Sequence, residues 1–126
     1  MSLTRLREVR ARELAEEWIA AWNEHDLGTI MSMYSPMVVF NTPTIIDTLG
    51  LQEGRIEGTE RLREHFARGL ERLPDLHFEL EQIYTGVRAV AITYHWADGT
   101  PVCEVHEYDE QERIERVQAL YHGLSW

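Results

Sequence analysis

The sequence predicts an α+β fold in which helices pack on one face of an antiparallel sheet. Apolar residues recur about every four positions in the first half of the chain, and alternating strand-like runs fill the second half. An Asp-Gly dipeptide between two of these runs is typical of a hairpin. Helices followed by a meander of strands favour this class over a parallel α/β fold. We interpret residues 1–126 as one domain, because the sequence contains no repeat or linker.

Composition restricts the partners of this chain. With 12 basic and 22 acidic residues among 126, it has a formal charge of −10, whereas nucleic acids and anionic membranes require a basic surface. Cys103 is the single cysteine, so an intramolecular disulfide is impossible. The first residues lack an apolar signal core, and no apolar run approaches the roughly 18 residues of a membrane span. We expect a cytoplasmic protein that binds neither nucleic acid nor membrane.

The first two predicted helices occupy residues 4–23 and 27–35. Asp26 is placed to cap the second helix, and Pro36 to end it. On the first helix, large apolar side chains recur at a spacing of four: Leu14, Trp18 and Trp22.

A third helix is predicted over residues 59–73, ended by Pro74. Between the second and third helices, residues 38–42 read as a short strand stopped by Pro43. Residues 43–58 read as a loop that contains one helical turn near 45–49. The apolar side of the third helix carries Leu62, Phe66 and Leu70.

The remaining chain is predicted to form strands over residues 76–84, 87–97, 101–109 and 113–122. Reading Asp98-Gly99 as a two-residue type I′ turn pairs Ala97 with Thr100. Register then follows along the strands, with Thr93 opposite Glu104, Ala91 opposite His106 and His95 opposite Val102.

For the last hairpin, we pair Glu107 with Arg116, because opposite charges across a strand pair are favourable. This places Ala119 beside Glu104, Val117 beside His106 and Tyr121 beside Val102. One face of the sheet then holds five polar residues among small apolar ones: Thr93, His95, Glu104, His106 and Tyr121. The other face holds Val90, Ile92, Tyr94, Trp96, Cys103 and Val105. The pattern alone leaves open which face meets the helices.

Several segments resemble ketosteroid isomerases and SnoaL-type polyketide cyclases, of the nuclear transport factor two-like superfamily. The segments are WIAAWNEHDL at 18–27, Met33-Tyr34, VFNTP at 39–43, GRIEGTERLREHF at 54–66 and QALY at 118–121. The resemblance implies a cone-shaped, cystatin-like fold, in which a curved antiparallel sheet carries three N-terminal helices on its concave face. It turns the face of Glu104 into the cone and implies a homodimer through the outer face, here Ile92, Tyr94, Trp96 and Val105.

This chain departs from the ketosteroid isomerase pattern at two positions. Those enzymes carry an aspartate base before the strand-ending proline, where this chain has Thr42. They also carry a tyrosine oxyanion donor in the first helix, where this chain has Trp18. Since threonine is not a base near neutral pH, the family's steroid isomerisation is not expected.

Glu104 and His106 are the predicted catalytic residues. They lie two residues apart on one strand face, and a carboxylate beside an imidazole is a common arrangement for proton transfer. We expect isomerase- or cyclase-like chemistry on a small apolar carbonyl compound, without a metal or cofactor. The predicted substrate-binding residues are Trp18, Trp22, Tyr34, Phe40, Thr42, Phe66, Thr93, His95 and Tyr121.

Three alternatives remain open. The pocket can bind a ligand without chemistry. The chain can instead be a structural or dimeric interaction protein, in which the Glu104–His106 pair is a purely structural hydrogen bond. His95, Glu104 and His106 on adjacent strands can also bind zinc, although they lack the spacing of a zinc motif. His65 can border the mouth of the pocket.

Overall fold

The computed structural model describes residues 7–123, which form four helices and one six-stranded sheet. The helices are α1 (Glu8–Asn23), α2 (Leu27–Ser32), α3 (Ile45–Leu49) and α4 (Thr59–Arg72). The strands are β1 (Tyr34–Asn41), β2 (Arg55–Glu57), β3 (Phe78–Thr85), β4 (Ala89–Trp96), β5 (Pro101–Tyr108) and β6 (Ile114–Tyr121). Residues 4–6 of the predicted first helix lie outside the described range.

The strands are arranged in the order β2-β1-β6-β5-β4-β3. Neighbouring strands are antiparallel except β1 and β6, which pair in parallel. The sheet is curved and unclosed, and helices cover one of its faces, which confirms the predicted α+β class. This order puts the last strand, β6, in the interior of the sheet.

Helix α1 lies over β3 and β4 and buries its apolar face against them. Trp18 stacks on Phe78 at a centroid distance of 5.9 Å and meets the edge of Tyr94 at 5.5 Å. Such ring pairs contribute about 0.5–1.5 kcal/mol each beyond their buried area. The buried face of the helix consists of Ala11, Ala15, Trp18, Ile19, Ala21 and Trp22.

The cap of α2 is confirmed, but the end of this helix differs from the prediction. The Asp26 carboxylate accepts a hydrogen bond from the Thr29 amide at 3.2 Å. The helix ends at Ser32, and β1 already begins at Tyr34. Pro36 lies inside this strand, in the irregular stretch between Tyr34 and Val39, where β1 is not paired with β6. Because that stretch needs no ladder donor, the missing N–H of proline is tolerated.

The segment predicted as a loop over 43–58 contains the helical turn and one additional strand. The turn forms α3, and Gly50 ends it with a left-handed φ of 70°. Strand β2 pairs with β1, with Ile56 opposite Phe40. Only three residues long, β2 falls below the length at which alternation is recognisable in a sequence.

The β4–β5 hairpin has a three-residue loop, and the predicted two-residue turn is wrong. The Trp96 amide donates to the Thr100 carbonyl at 2.9 Å, so these two residues close the hairpin. Ala97, Asp98 and Gly99 form the loop, with Gly99 at a φ of 92°. A glycine in this region at the third position is typical of three-residue hairpins.

This extra loop residue shifts the register of β4 by one position. Ile92 lies opposite Glu104 and Val90 opposite His106, where the sequence predicted Thr93 and Ala91. A shift of one residue moves every side chain of a strand to the opposite face. Tyr94 therefore points toward the helices.

The predicted apolar outer face is consequently wrong in its composition. Ile92 and Tyr94 are only 0% and 1% exposed and belong to the core. Trp96 packs against Tyr121 at 5.7 Å, and of the four residues predicted there only Val105 lies on the outer face. The last hairpin, by contrast, follows the predicted register, with Glu107 opposite Arg116 and Glu104 opposite Ala119.

Candidate functional site

A cavity of about 240 Å³ lies between the helices and the inner face of the sheet. Its volume corresponds to roughly eight liquid water molecules, which suits one small organic molecule. The apolar walls are formed by Trp18, Trp22, Phe40, Phe66, Leu76, Phe78 and Trp96. Polar groups come from Thr42, Thr44, Thr48, His65, Tyr94, Glu104 and Tyr121, with Asp47 and Arg72 also in the lining.

Glu104 is the acidic group that β5 contributes to this cavity, and it is only 5% exposed. The Tyr94 hydroxyl donates to its Oε2 at 2.5 Å. His106 Nε2 lies 3.0 Å from its Oε1. Two hydrogen bonds of this kind stabilise and orient a carboxylate that has lost most of its water. The predicted inward orientation of Glu104 and His106 is what the structure shows.

Tyr94 acts as a fixed donor toward Glu104. Burial raises the pKa of its hydroxyl well above the usual value, and the charge of Glu104 raises it further. Its proton is therefore retained across the physiological pH range.

His106 contacts the Glu104 carboxylate from the side away from the cavity and is not part of the cavity lining. Its side chain is fully buried, with Trp18 edge-on at 5.0 Å. Its Nδ1 atom is buried and has no hydrogen-bond partner within residues 7–123. A neutral imidazole with its proton on Nε2 fits these surroundings, since the unpaired atom is then a lone pair and not an N–H.

A second polar group on the sheet side of the cavity is formed by Tyr121 with Thr42 and Thr44. Burial raises the pKa of Tyr121 to about 12, with a smaller contribution from Glu104, while hydrogen bonds to the two threonines oppose the rise. The hydroxyl oxygens of Thr42 and Thr44 lie 3.0 Å apart. These hydroxyls can bind an oxygen atom of a ligand.

His65 lines the cavity from the helix side. It is 7% exposed, and its Nδ1 lies 2.5 Å from the Thr48 hydroxyl oxygen. Burial lowers the pKa of His65 to about 4, so the ring is neutral near pH 7. The sequence predicted only that His65 borders the mouth.

Three predicted binding residues do not reach the cavity. Thr93 lies on the outer face and exchanges hydrogen bonds with the main chain of Gln82. His95 is also on that face, with Nδ1 3.7 Å from Glu81. Tyr34 is buried behind the wall and accepts a hydrogen bond from Trp18 Nε1 at 3.0 Å.

The predictions for Thr93 and His95 fail because of the hairpin register, and the same error concealed Tyr94. Helical spacing predicted the apolar sides of the helices that carry Trp18, Trp22 and Phe66, and the cavity role of these residues followed from the resemblance. All three line the cavity, as do Phe40, Thr42 and Tyr121. Nothing in the local pattern marked Thr48, which depends on the position of α3 next to α4.

Among residues 7–123, no group of three or more histidine, cysteine or acidic side chains is arranged to hold a metal ion. The proposed zinc ligands separate because His95 lies on the face opposite to Glu104 and His106. In the same range, no helix combines the length and apolar character needed to cross a membrane.

Comparison with known proteins relates this fold to a family. The family model described as a SnoaL-like domain matches residues 15–121. A SnoaL-like protein of unknown function from Burkholderia thailandensis is 34% identical with a TM-score of 0.89, covering 94% of this chain and 99% of that chain. A search of curated proteins gives no match.

More distant structures share the architecture. AclR, a putative hydroxylase from Streptomyces galilaeus, has a TM-score of 0.71 at 17% identity, covering 92% of this chain and 77% of that one. The epoxide hydrolase/cyclase-like enzyme SalBIII has a TM-score of 0.66 at 16% identity, covering 92% and 93%.

The curved sheet with helices closing over one face defines a protein of the cystatin-like, nuclear transport factor two-like fold. Within that class, this chain belongs to the SnoaL-like family.

Proposed function

We propose that this protein binds a small, mostly apolar carbonyl compound in its cavity and transfers a proton to or from it through Glu104. The observation that carries the proposal is a carboxylate at the wall of an apolar cavity, oriented by Tyr94 at 2.5 Å and His106 at 3.0 Å. A positioned carboxylate that is shielded from water is a suitable general acid or base.

The residues take separate roles in this proposal. Glu104 is the group that contacts the ligand and carries the proton. Tyr94 and His106 are positioning residues, because both act through the Glu104 carboxylate. Tyr121 and Thr42 provide hydroxyl groups for a ligand oxygen, while the aromatic wall binds the apolar part.

The ketosteroid isomerase mechanism does not fit this cavity. Thr42, at the position of the family's aspartate base, is bonded to another threonine hydroxyl. The N–H of Trp18, at the position of the tyrosine donor, is already donated to Tyr34. The proposal therefore assigns the proton transfer to Glu104. AclR is described as a putative hydroxylase, and SalBIII as an epoxide hydrolase/cyclase-like enzyme. Both descriptions are compatible with chemistry in a cavity of this kind.

Ligand binding without chemistry is the second candidate. It is favoured by one observation, namely that each oxygen of Glu104 already has a hydrogen-bond partner in the protein. A carboxylate satisfied in this way can be structural. It still has free lone pairs, so the two candidates must be separated by experiment.

The experiment measures exchange of the α-protons of 1-tetralone in D₂O by NMR. We expect the wild-type protein to accelerate exchange, and Glu104→Gln to lower the rate by about 10²–10⁴-fold, the usual contribution of a general acid or base. His95→Gln is the matched control, because His95 lies on the outer face. Equal exchange rates for wild type and Glu104→Gln contradict the proposal. Binding of 1-tetralone with no acceleration by the wild type supports the second candidate.

A homodimer and a cytoplasmic location stay predictions. The argument for the dimer from an apolar outer face is weakened, because Ile92 and Tyr94 are buried in the core. Light scattering coupled to size exclusion tests it directly.

A further inference from the structure

The proposed chemistry assigns no role to His65, a buried polar side chain of the cavity. His65 belongs to α4, on the helix side, whereas Glu104 belongs to the sheet. It is 7% exposed and lines the same cavity. One ring nitrogen is bonded to Thr48, and the other, Nε2, makes no hydrogen bond with the described residues. Nε2 is not one of the fully buried side-chain atoms that lack a partner, so it retains accessible surface, and because His65 lines the cavity a ligand can reach this nitrogen there.

The contacts of Thr48 favour one of the two neutral forms of the His65 ring. Its hydroxyl oxygen lies 2.5 Å from His65 Nδ1, but 3.4 Å from the Thr44 carbonyl and 3.5 Å from the Ile45 carbonyl. A hydroxyl has one proton to donate, and the short contact is the best acceptor available. When Thr48 donates to Nδ1, the neutral imidazole carries its own proton on Nε2.

The ring is held firmly in this orientation. The Thr48 carbonyl accepts a hydrogen bond from Arg68 at 2.8 Å, which ties α3 to α4. The rings of Phe66 and Phe40 lie 5.6 and 6.2 Å from the imidazole and restrict its rotation. A donor fixed in advance loses little conformational freedom when it binds a ligand.

We propose that His65 Nε2–H is a second ligand-binding group, which donates a hydrogen bond to an acceptor oxygen of the bound molecule. The substrate class is thereby narrowed to apolar molecules with a carbonyl or ether oxygen directed at the helix wall. This inference rests on the proposed ligand site but not on proton transfer by Glu104.

The binding experiment compares 1-tetralone with tetralin, which has the same ring system without the carbonyl oxygen. Dissociation constants are measured for wild type, His65→Leu and His65→Gln. We expect wild type to favour the ketone by about three- to tenfold, the range of one neutral hydrogen bond. His65→Leu reduces this preference to the part that the Tyr121 and Thr42 hydroxyls contribute, and His65→Gln, whose amide N–H reaches about as far as Nε2, restores some of the loss.

Two results overturn the inference. One is a ketone preference that is unchanged in His65→Leu, and the other is equal affinity of the wild type for both compounds. Glu104→Gln separates the two proposals, because it removes proton exchange and keeps the His65-dependent preference. Absence of exchange in wild type with that preference intact defeats the catalytic proposal alone.

The protonation of the ring is tested independently of any ligand. Nitrogen-15 NMR of the imidazole at pH 7 distinguishes the two neutral forms. We expect the proton on Nε2 in wild type, and Thr48→Val to weaken this preference. A wild-type ring protonated on Nδ1 overturns the donor role of His65 and leaves the proposed function untouched.

Discussion

The Tyr94 hydroxyl donates to the Glu104 carboxylate at 2.5 Å, from one strand to its neighbour across the inner face of the sheet. Tyr94 pairs with Val102 and Ile92 pairs with Glu104, so the tyrosine and the glutamate are diagonal neighbours. Diagonal positions are within reach of long aromatic side chains. This contact exists only because the three-residue loop at Gly99 directs Tyr94 inward.

Tyr94→Phe is expected to lower the free energy of unfolding by about 2 kcal/mol, because a hydrogen bond to a buried carboxylate is lost. Urea unfolding at pH 7 measures the change. Tyr84→Phe is the control, since Tyr84 is 60% exposed and should change stability little. Equal losses in both variants would show that the bond to Glu104 contributes nothing.

His106→Leu is expected to slow proton exchange by about ten- to a hundredfold, through misplacement of the Glu104 carboxylate. Because His106 does not line the cavity, KM for 1-tetralone should stay within about twofold. His106→Gln retains an N–H near the Nε2 position and should recover part of kcat. A loss that falls mainly on KM would place His106 in direct contact with the ligand.

The stability of the protein should fall as the pH is lowered from about 6.5 to about 4, owing to His65. Its pKa is about 4 in the folded state against 6.5 for the free side chain. Between these values the unfolded chain binds a proton that the folded protein does not, which favours unfolding. Over this pH range the free energy of unfolding should fall by about 3 kcal/mol in total, at 1.36 kcal/mol per pKa unit.

Urea unfolding of wild type and His65→Gln at several pH values measures this contribution. The stability difference between the two proteins should change with pH in this window and be constant above it. Parallel pH profiles would mean that the folded and unfolded states bind a proton at His65 equally well, so that folding does not lower its pKa.

Two glycines should respond to alanine substitution with opposite signs. Gly99 has a φ of +92°, and a Cβ there would meet no atom within 4 Å, so Gly99→Ala costs only backbone strain of about 1 kcal/mol. Gly69 lies inside α4 with equally open space, and Gly69→Ala should stabilise the helix by about 1 kcal/mol. Thermal unfolding compares the two variants, and a Gly99→Ala protein as stable as wild type would contradict the assigned loop conformation.

Helical spacing and charge pairing predicted much of the fold correctly. The four-residue recurrence of Trp18 and Trp22 placed them on the buried side of α1. The pairing of Glu107 with Arg116 fixed the register of the last hairpin, whereas the inward direction of Glu104 and His106 was expected from the family resemblance. These signals are local, and the side chains involved lie within a few residues or directly across one turn.

The wrong predictions for β4 arose because a difference of one residue in the length of the β4–β5 loop decides which face each side chain occupies. Asp98-Gly99 fits a two-residue turn as well as the end of a three-residue loop, because glycine accepts the positive φ in both. Thr93 and His95 were therefore predicted inside, and Tyr94 outside. The parallel pairing of β1 with β6 has no sequence signature, since it joins residues about 80 positions apart.

The position of β6 between β1 and β5 has a consequence for assembly of the chain. The β1 edge that pairs with β6 has no partner strand until residues 114–121 have been synthesised. Apolar surface on β1 and β5 therefore stays open during synthesis, when contacts with other chains compete with folding. We therefore expect the interior to close only once β6 has been added between β1 and β5.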